Sequence, residues 1–177
     1  MFPRRVLIVS FVLCFFIAVL IAFPDLPKTG ATAPQFVLKN QDGLEVKLSD
    51  FKSKWIILYF YPKDFTSGCT VEAHNFQRDL AGYEKLGAVI IGISVDSSES
   101  HKGFCAKEGL SFRLLADTEH KVTSLYGSLG EYQGKAIARR NTFIIDPDGK
   151  IAKVFENVNP AVHSEEVLAA LAQLQLH

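Results

Sequence analysis

Two cysteines are the residues best suited to chemistry in the part of this chain that follows its apolar N-terminus. The 177-residue sequence has three cysteines, of which Cys14 lies in an apolar run and Cys69 and Cys105 lie further along. Two such cysteines can form a structural disulfide, a catalytic dithiol or part of a metal site. A metal site is the weakest of the three interpretations, because neither cysteine has a second cysteine or a histidine at a short ligand spacing that repeats elsewhere. We therefore expect no metal ion and no cofactor.

Cys69 lies where a strand passes into a helix. The continuous apolar and aromatic run from Trp55 to Tyr61 predicts a buried strand, and the loop PKDFTSGC follows it. Helical spacing of apolar residues then runs from about Thr70 to the stop at Gly87. Unpaired backbone N–H groups and the positive end of a helix dipole favour the thiolate form of a cysteine. The position therefore indicates that Cys69 is a nucleophile.

Alternating strands and helices are predicted around this core unit. A second continuous apolar run, residues 88–95, is typical of another central strand covered on both faces. The remaining predicted elements are a hairpin over 36–48, helices over 98–108, 120–126 and 164–174, a strand over 112–115, and a hairpin of 142–145 with 151–155. This order of elements predicts a single three-layer α/β domain over residues 34–177.

The first 23 residues have the composition of a membrane segment. Arg4 and Arg5 precede an uncharged run of 18 residues from Val6 to Phe23. That length is near the requirement for a spanning helix and exceeds the usual core of a cleaved signal peptide. We predict a membrane helix that acts as a signal anchor over residues 1–23, with a signal peptide or a buried core helix as alternatives, and a linker over 24–33. The paired arginines predict that the domain lies on the extracytoplasmic, periplasmic side, although Lys28 weakens this asymmetry.

The overall charge gives no indication of a polyanionic partner. Lysine plus arginine and aspartate plus glutamate are equal at 19 each. Nucleic-acid binding proteins usually carry a marked basic excess. We therefore expect small molecules or proteins as partners and no nucleic acid.

The residues around Cys69 resemble a known family. Pro62, Thr66 and Cys69 stand as PxxxTxxC, and the stretch YFYPKDFTSGCTVEAHNF is similar to peroxiredoxins of the peroxiredoxin Q branch, also called bacterioferritin comigratory proteins. The resemblance continues in residues 33–36, 93–96 and 140–146 and covers nearly all of 33–170. It implies a thioredoxin-like sandwich with a central mixed sheet, and an antioxidant enzyme that reduces hydrogen peroxide or organic hydroperoxides.

The resemblance also implies roles for the motif residues. Cys69 thiolate would attack the terminal peroxide oxygen and become a sulfenic acid. The Thr66 hydroxyl and the backbone N–H of Cys69 would donate hydrogen bonds to oxygens that gain charge in the transition state. Pro62 would shape the loop and shield the thiol from bulk water. Taken alone, Thr66 is better interpreted as an ordinary loop residue, and its role in catalysis is favoured only because it occurs together with Cys69 and Arg140.

A distant arginine completes the implied site. Arg140 precedes Thr-Phe at the spacing of the family and would lie against the thiolate, donating from its planar fork of N–H groups. Its neighbour Arg139 would point away, because neighbours on an extended chain face opposite sides. Taken alone, Arg140 is also consistent with a surface salt bridge. Glu72 either orients the arginine, as in relatives, or is a favourable acid in the first turn of the helix.

The second cysteine departs from the commonest pattern of the branch. Many members carry a resolving cysteine five residues after the first, but His74 occupies that position and is most simply a helix-surface residue. Cys105, 36 residues after Cys69, is at the alternative resolving position known in the branch. An inert buried cysteine is the other interpretation of Cys105. If Cys105 resolves the sulfenic acid, both predicted helices must unwind locally to form the bond, and a thioredoxin-like protein would reduce it.

Two other function classes are consistent with the predicted fold. A membrane-tethered thiol-disulfide oxidoreductase would need a CxxC pair, which the sequence lacks. A thioredoxin-like binding module that keeps Cys69 for packing would fail to consume peroxide. We expect a monomer, because the chain stops soon after its last predicted helix.

Overall fold

A computed structural model describes residues 25–176 of the chain. The predicted membrane segment over residues 1–23 lies outside these residues, so its structure stays a prediction. Between residues 25 and 176, no helix has both the length and the hydropathy of a membrane span.

Seven strands form one mixed sheet. The order across the sheet is β2-β1-β5-β4-β3-β8-β9, with β3, β4 and β5 parallel and the other pairs antiparallel. A separate two-stranded hairpin is formed by β6 and β7. The strands are β1 (Val37–Asn40), β2 (Glu45–Lys47), β3 (Trp55–Phe60), β4 (Ala88–Ser94), β5 (Arg113–Ala116), β6 (Leu129–Tyr132), β7 (Lys135–Ala138), β8 (Thr142–Ile145) and β9 (Ile151–Phe155).

Helices cover both faces of the sheet, because β3 is apolar on both sides. Ile57 and Tyr59 belong to the core cluster that also contains residues of α1, α2 and α4, whereas Ile56, Leu58 and Phe60 face the cluster that contains residues of α3. Alternate strand residues point to opposite faces, so a continuous apolar run requires cover on both. The helices are α1 (Ser67–Lys85), α2 (Ser98–Glu108), α3 (Lys121–Leu125) and α4 (His163–Leu174).

Two differences from the predicted elements bear on the site. Helix α1 begins at Ser67, earlier than the predicted start near Thr70, so Cys69 lies inside the first turn. The β6–β7 hairpin was not predicted. Its two central residues, Gln133 and Gly134, both have positive φ, at 51° and 72°. Two short runs with apolar residues on either side of a turn dipeptide indicate a hairpin, but Gln is not among the first-position residues, Asn, Asp or Gly, that favour such a turn.

The chain before β1 is partly attached to the sheet. The backbone N–H of Gly30 donates to Ile151 O at 2.8 Å, and that of Ala33 donates to Gly149 O at 2.9 Å. Residues 30–33, within the segment predicted as a linker, thus pair with the β8–β9 hairpin. The exact ends of the predicted segments stay predictions.

Helices α1 and α4 are joined by a buried hydrogen bond. Tyr83 is 0% exposed and its hydroxyl donates to the Ser164 carbonyl oxygen at 2.6 Å. Two turns nearer the start of α1, Asn75 Nδ2 donates to the carbonyls of Pro160 and Ala161, at 3.1 and 2.9 Å. These bonds hold the start of α4 and the loop before it against the helix that carries Cys69.

Removal of the Tyr83 hydroxyl tests this attachment. We expect Tyr83→Phe to lower the free energy of unfolding by about 1–2 kcal/mol, because a buried carbonyl loses its donor. Tyr132→Phe is the matched control, since Tyr132 is 64% exposed. Urea denaturation followed by circular dichroism compares the two, and equal stability of both variants would contradict the expectation.

Candidate active site

Cys69 lies buried in the first turn of α1. The loop from Pro62 to Thr66 connects the end of β3 to this helix, and Thr66 precedes the helix in extended conformation, with φ −87° and ψ 147°. The cysteine is 2% exposed and forms no disulfide with another cysteine between residues 25 and 176. The thiol therefore lies near the free backbone N–H groups at the start of a helix and has little contact with bulk water.

Arg140 reaches the sulfur from the segment before β8, the strand that pairs with β3. Its Nη2 donates to Cys69 Sγ at 3.2 Å. The main chain here is fixed on both sides, because Phe60 N donates to Asn141 O at 2.8 Å and Val158 N donates to Arg140 O at 3.1 Å. The structure therefore holds the guanidinium at the end of β3, where it donates a hydrogen bond to the sulfur.

Arg139 faces a different part of the molecule. Its side chain packs against Gly130 in the β6–β7 hairpin. The two arginines lie in a bend between β7 and β8, not on a strand. The alternation of strand faces used in the sequence argument therefore does not apply, and it is the bend that separates the two side chains.

Glu72 occupies the other half of the arginine fork. Glu72 Oε2 accepts from Arg140 Nη1, and the carboxylate is 1% exposed. Burial raises the pKa of Glu72 to about 7, against the opposing effect of the Arg140 charge. Glu72 lies beyond the first turn of α1, so a role as a first-turn acid is wrong. The carboxylate instead fixes the guanidinium that contacts the sulfur.

Gly68 leaves room for the arginine. A Cβ atom at this position would lie 2.8 Å from Arg140 Nη2 and 3.7 Å from Pro160 Cγ. No real Cβ makes the first of these contacts, so a side chain here would move the guanidinium. The glycine next to the cysteine is thus part of the geometry of the site, a role that sequence reasoning did not assign.

Thr66 and Pro62 belong to the loop that leads to Cys69. The Thr66 hydroxyl donates to the Lys63 carbonyl at 3.0 Å, which leaves its oxygen to accept a hydrogen bond. In the predicted role this hydroxyl instead donates to the peroxide. That role would require the hydroxyl to rotate away from the Lys63 carbonyl. Both residues line a cavity of about 500 Å³ whose opposite wall includes Tyr132 and Ile137 of the β6–β7 hairpin.

Comparison with known proteins identifies the family. The model of the AhpC/TSA family matches residues 29–154. Peroxiredoxin Bcp of Bacillus subtilis is 43% identical over 152 residues, which cover 82% of this chain and 95% of that protein. The chain belongs to the AhpC/TSA family. Its similarity to Bcp proteins and to peroxiredoxin Q structures confirms the predicted branch.

Solved structures agree with the fold. A cysteine-to-serine mutant of PrxQ from Xylella fastidiosa superposes with a TM-score of 0.80 at 31% identity, covering 85% of this chain and 98% of that one. A mutant of Xanthomonas campestris peroxiredoxin Q gives a TM-score of 0.74 at 35% identity, covering 78% and 90%. The predicted thioredoxin-like fold with a central mixed sheet is confirmed. The family also makes the chain an enzyme, a peroxidase of the oxidoreductase class, and implies a peroxide substrate and a thioredoxin-like reductant.

The second cysteine of this peroxiredoxin is packed in the core. Cys105 lies in α2, is 9% exposed, and belongs to the same core cluster as Cys69. Burial, with a smaller effect of the Asp64 and Asp42 carboxylates, raises the pKa of Cys105 to about 11. Both cysteines are free thiols. At neutral pH the packed Cys105 therefore stays protonated.

His74 and two further residues complete the surroundings. The His74 side chain is 50% exposed and its Nε2 lies 3.0 Å from Glu108 Oε2 on α2, away from the sulfur contacts of Cys69. Asp64 and His101, which the sequence analysis passed over, form a buried pair between the loop before Cys69 and α2, with 2.8 Å between Asp64 Oδ2 and His101 Nδ1. The sequence could have indicated His101, because it precedes Cys105 by four residues and therefore lies on the same face of the predicted helix.

Gly68→Ala tests the close approach at the arginine. We expect the second-order rate constant of Cys69 oxidation to fall about tenfold or more, since the added methyl displaces a charged hydrogen-bond donor. Stability should be unchanged or slightly higher, because alanine favours helix. Gly103→Ala in α2 is the matched control, since its new Cβ would lie 3.5 Å from Phe65 Cζ, an ordinary contact. Stopped-flow peroxide competition and thermal unfolding measure both, and an unaffected oxidation rate in Gly68→Ala would refute this role.

Glu72→Gln tests the buried carboxylate. The folded-state pKa of Glu72, about 7, lies above its ordinary value of 4.5, so the group stabilises the fold below pH 4.5 and that stability is lost as the pH rises through 7. The glutamine variant lacks this titration. Relative to it, the wild type should lose roughly 3 kcal/mol of unfolding free energy between pH 4 and 8. Urea titrations at a series of pH values check the sign, and a parallel pH dependence of both proteins would rule it out.

Proposed function

We propose that this peroxiredoxin is a two-cysteine thiol peroxidase, in which Cys69 reduces the peroxide and Cys105 resolves the product within the same chain. The observation that carries the first half is the Arg140 guanidinium, which is hydrogen bonded to both Cys69 Sγ and the buried Glu72 carboxylate. A fork fixed in this way is available to hold negative charge without reorganising. Pro62 and Thr66 line a cavity beside the loop that leads to Cys69.

The first step transfers one oxygen atom. Cys69 thiolate attacks the terminal oxygen of a peroxide ROOH, the S–O bond forms as the O–O bond breaks, and the products are Cys69 sulfenic acid and the alcohol or water. Charge moves from sulfur to the departing oxygen. Arg140 lies beside the sulfur at 3.2 Å and is positioned to follow this charge, together with the N–H groups at the start of α1.

The second step forms a disulfide. The Cys105 thiol attacks the sulfenic sulfur, water leaves, and Cys69 and Cys105 become linked. Both cysteines lie in one core cluster on the same side of the sheet, which supports the pairing. In Xanthomonas campestris peroxiredoxin Q, the two cysteines replaced by serine in separate solved structures are also 36 residues apart.

The disulfide has to be reduced to complete the cycle. We assign this step to an external dithiol protein of thioredoxin type, which takes up the Cys69–Cys105 bond by exchange. The Cys105 pKa of about 11 in the packed state implies that the thiol becomes a good nucleophile only after α2 opens. Formation and reduction of the disulfide would then both use a partly unwound conformation of the chain.

The location of the enzyme follows from its first 23 residues. Two arginines followed by 18 uncharged residues support a signal anchor that holds a monomeric domain on the periplasmic side of a membrane. The residue range 24–33 would then connect the anchor to the domain. A fusion of residues 1–33 to a reporter active only outside the cytoplasm checks this orientation, and membrane extraction with carbonate separates an anchor from a cleaved signal.

The resolving role of Cys105 is tested by one oxidation experiment on the full-length chain. After one equivalent of hydrogen peroxide, we expect wild type to lose two thiols and two hydrogens, and Cys105→Ser to gain one oxygen on Cys69. Intact mass spectrometry with thiol alkylation measures both, and peptide mapping locates the bond.

The other outcomes distinguish the alternatives. An added oxygen on wild type itself would show a one-cysteine peroxidase. No change in either protein would support a non-catalytic binding module, and Cys69→Ser, which removes the sulfur but keeps the fold, shows whether any peroxide consumption depends on this residue.

A further inference from the structure

The loop before Cys69 holds α2 through a buried carboxylate. Asp64 is 2% exposed, and its Oδ2 accepts from Ser100 Oγ at 2.6 Å and lies 2.8 Å from His101 Nδ1, both on α2. Its Oδ1 accepts from the Tyr61 hydroxyl at 2.8 Å. His101 is 0% exposed. Separating such a buried pair leaves polar groups without partners, so the contact resists opening.

The next residue holds the same helix through its ring. Phe65 packs edge-to-face on Phe104, with ring centroids 5.2 Å apart, and Lys107 Nζ lies 5.6 Å from the Phe65 ring centre. The Phe65 backbone has a φ of +60°, a left-handed conformation that is uncommon for a bulky residue. Because the backbone conformation is unfavourable, the placement of the ring depends on its contact with α2 more than on local backbone preference. Part of the ring is open to solvent, since the residue is 48% exposed.

Both contacts adjoin the two cysteines. Phe65 is four residues before Cys69, and His101 is four residues before Cys105. Disulfide formation requires the Cα atoms of the two cysteines to come within about 4.4–6.8 Å. Cys105 now lies on a folded helix that Ser97 caps at its start and Gly109 ends in left-handed conformation. Helix α2 cannot open for Cys105 without releasing Asp64 and Phe65.

We propose that Asp64 and Phe65 form a clasp on α2 that times the resolving step, so that Cys105 is released only when the loop before Cys69 moves. The proposal rests on the Cys69–Cys105 disulfide described above and names positioning residues for it. The clasp consists of Asp64 with Ser100 and His101, and of Phe65 with Phe104. Because both arms come from the loop that leads into α1, unwinding of the first turn of α1 and opening of α2 become one coupled event.

The clasp sets the lifetime of the sulfenic acid. While it is closed, Cys105 stays packed on α2, and a second peroxide can transfer another oxygen to the Cys69 sulfenic acid to give the sulfinic acid. When it opens, the disulfide forms and water leaves. A weaker clasp should therefore speed resolution and lower the yield of sulfinic acid at high peroxide.

A matched pair of substitutions at Phe65 tests the clasp in the full-length chain. Phe65→Ala and Phe65→Tyr both keep a Cβ at the left-handed position, so their difference reports the ring alone. We expect Phe65→Ala to raise the rate constant of disulfide formation about threefold or more over Phe65→Tyr, the size expected for losing an edge-to-face contact. The rate constant of Cys69 oxidation should differ by less than about twofold, because the arginine contacts are unchanged. Rapid quench with thiol alkylation and intact mass resolves the two steps and the sulfinic product.

Two further proteins complete the test. Asp64→Asn keeps the size of the side chain and removes its charge, and it should also speed disulfide formation and lower the sulfinic yield. Lys102→Ala, an exposed position on the same helix, should behave as wild type. If Asp64→Asn does not fold, the Phe65 pair decides.

The outcomes separate this proposal from the one on which it rests. Failure of wild type to form any Cys69–Cys105 disulfide would remove both. A disulfide in wild type that forms at the same rate in Phe65→Ala and Phe65→Tyr, or more slowly in Phe65→Ala, would overturn the clasp and leave the two-cysteine mechanism in place. Faster resolution with unchanged oxidation and less sulfinic acid would establish it.

Discussion

The arginine fork between a sulfur and a buried carboxylate is the constraint on which the site depends. Arg140 donates to Cys69 through one nitrogen and to Glu72 through the other, and all three groups are largely removed from water. A charge in such surroundings is costly unless it is paired. The guanidinium is therefore confined to one position. Gly68, which has no side chain to displace it, and the bend that separates Arg139 from Arg140 both serve that position.

The second cysteine lies in the same dry environment. Cys105 packs into the core that covers Cys69, and burial there holds it as a thiol. In the two-cysteine mechanism proposed above, formation of the disulfide would depend on local unwinding of this packed state. Helix α2 would then be both a packing element and the element that has to move. The Asp64–His101 pair holds α2 in its packed position and would have to separate for α2 to move.

Much of the fold is predictable from the sequence because it depends on local pattern. Continuous apolar runs marked β3 and β4 as central strands, and helical spacing with glycine stops marked α1 and α2. The β6–β7 hairpin was missed because its turn begins with Gln133, whose positive φ is set by the hairpin and not by residue preference. The start of α1 was placed late because Ser67 and Gly68 carry no apolar periodicity.

The sequence by itself determined that Cys69 follows a buried strand at a helix start, and that Pro62, Thr66 and Arg140 stand at the spacing of a peroxiredoxin. Only the tertiary structure decided which partners each group meets. Glu72 could be a surface acid or a buried partner of Arg140, and the choice depends on α1 packing against residues 68 positions away in sequence. Asp64 and His101 are likewise 37 positions apart. Such pairings are set by the crossing of elements in the folded chain, which no local pattern records.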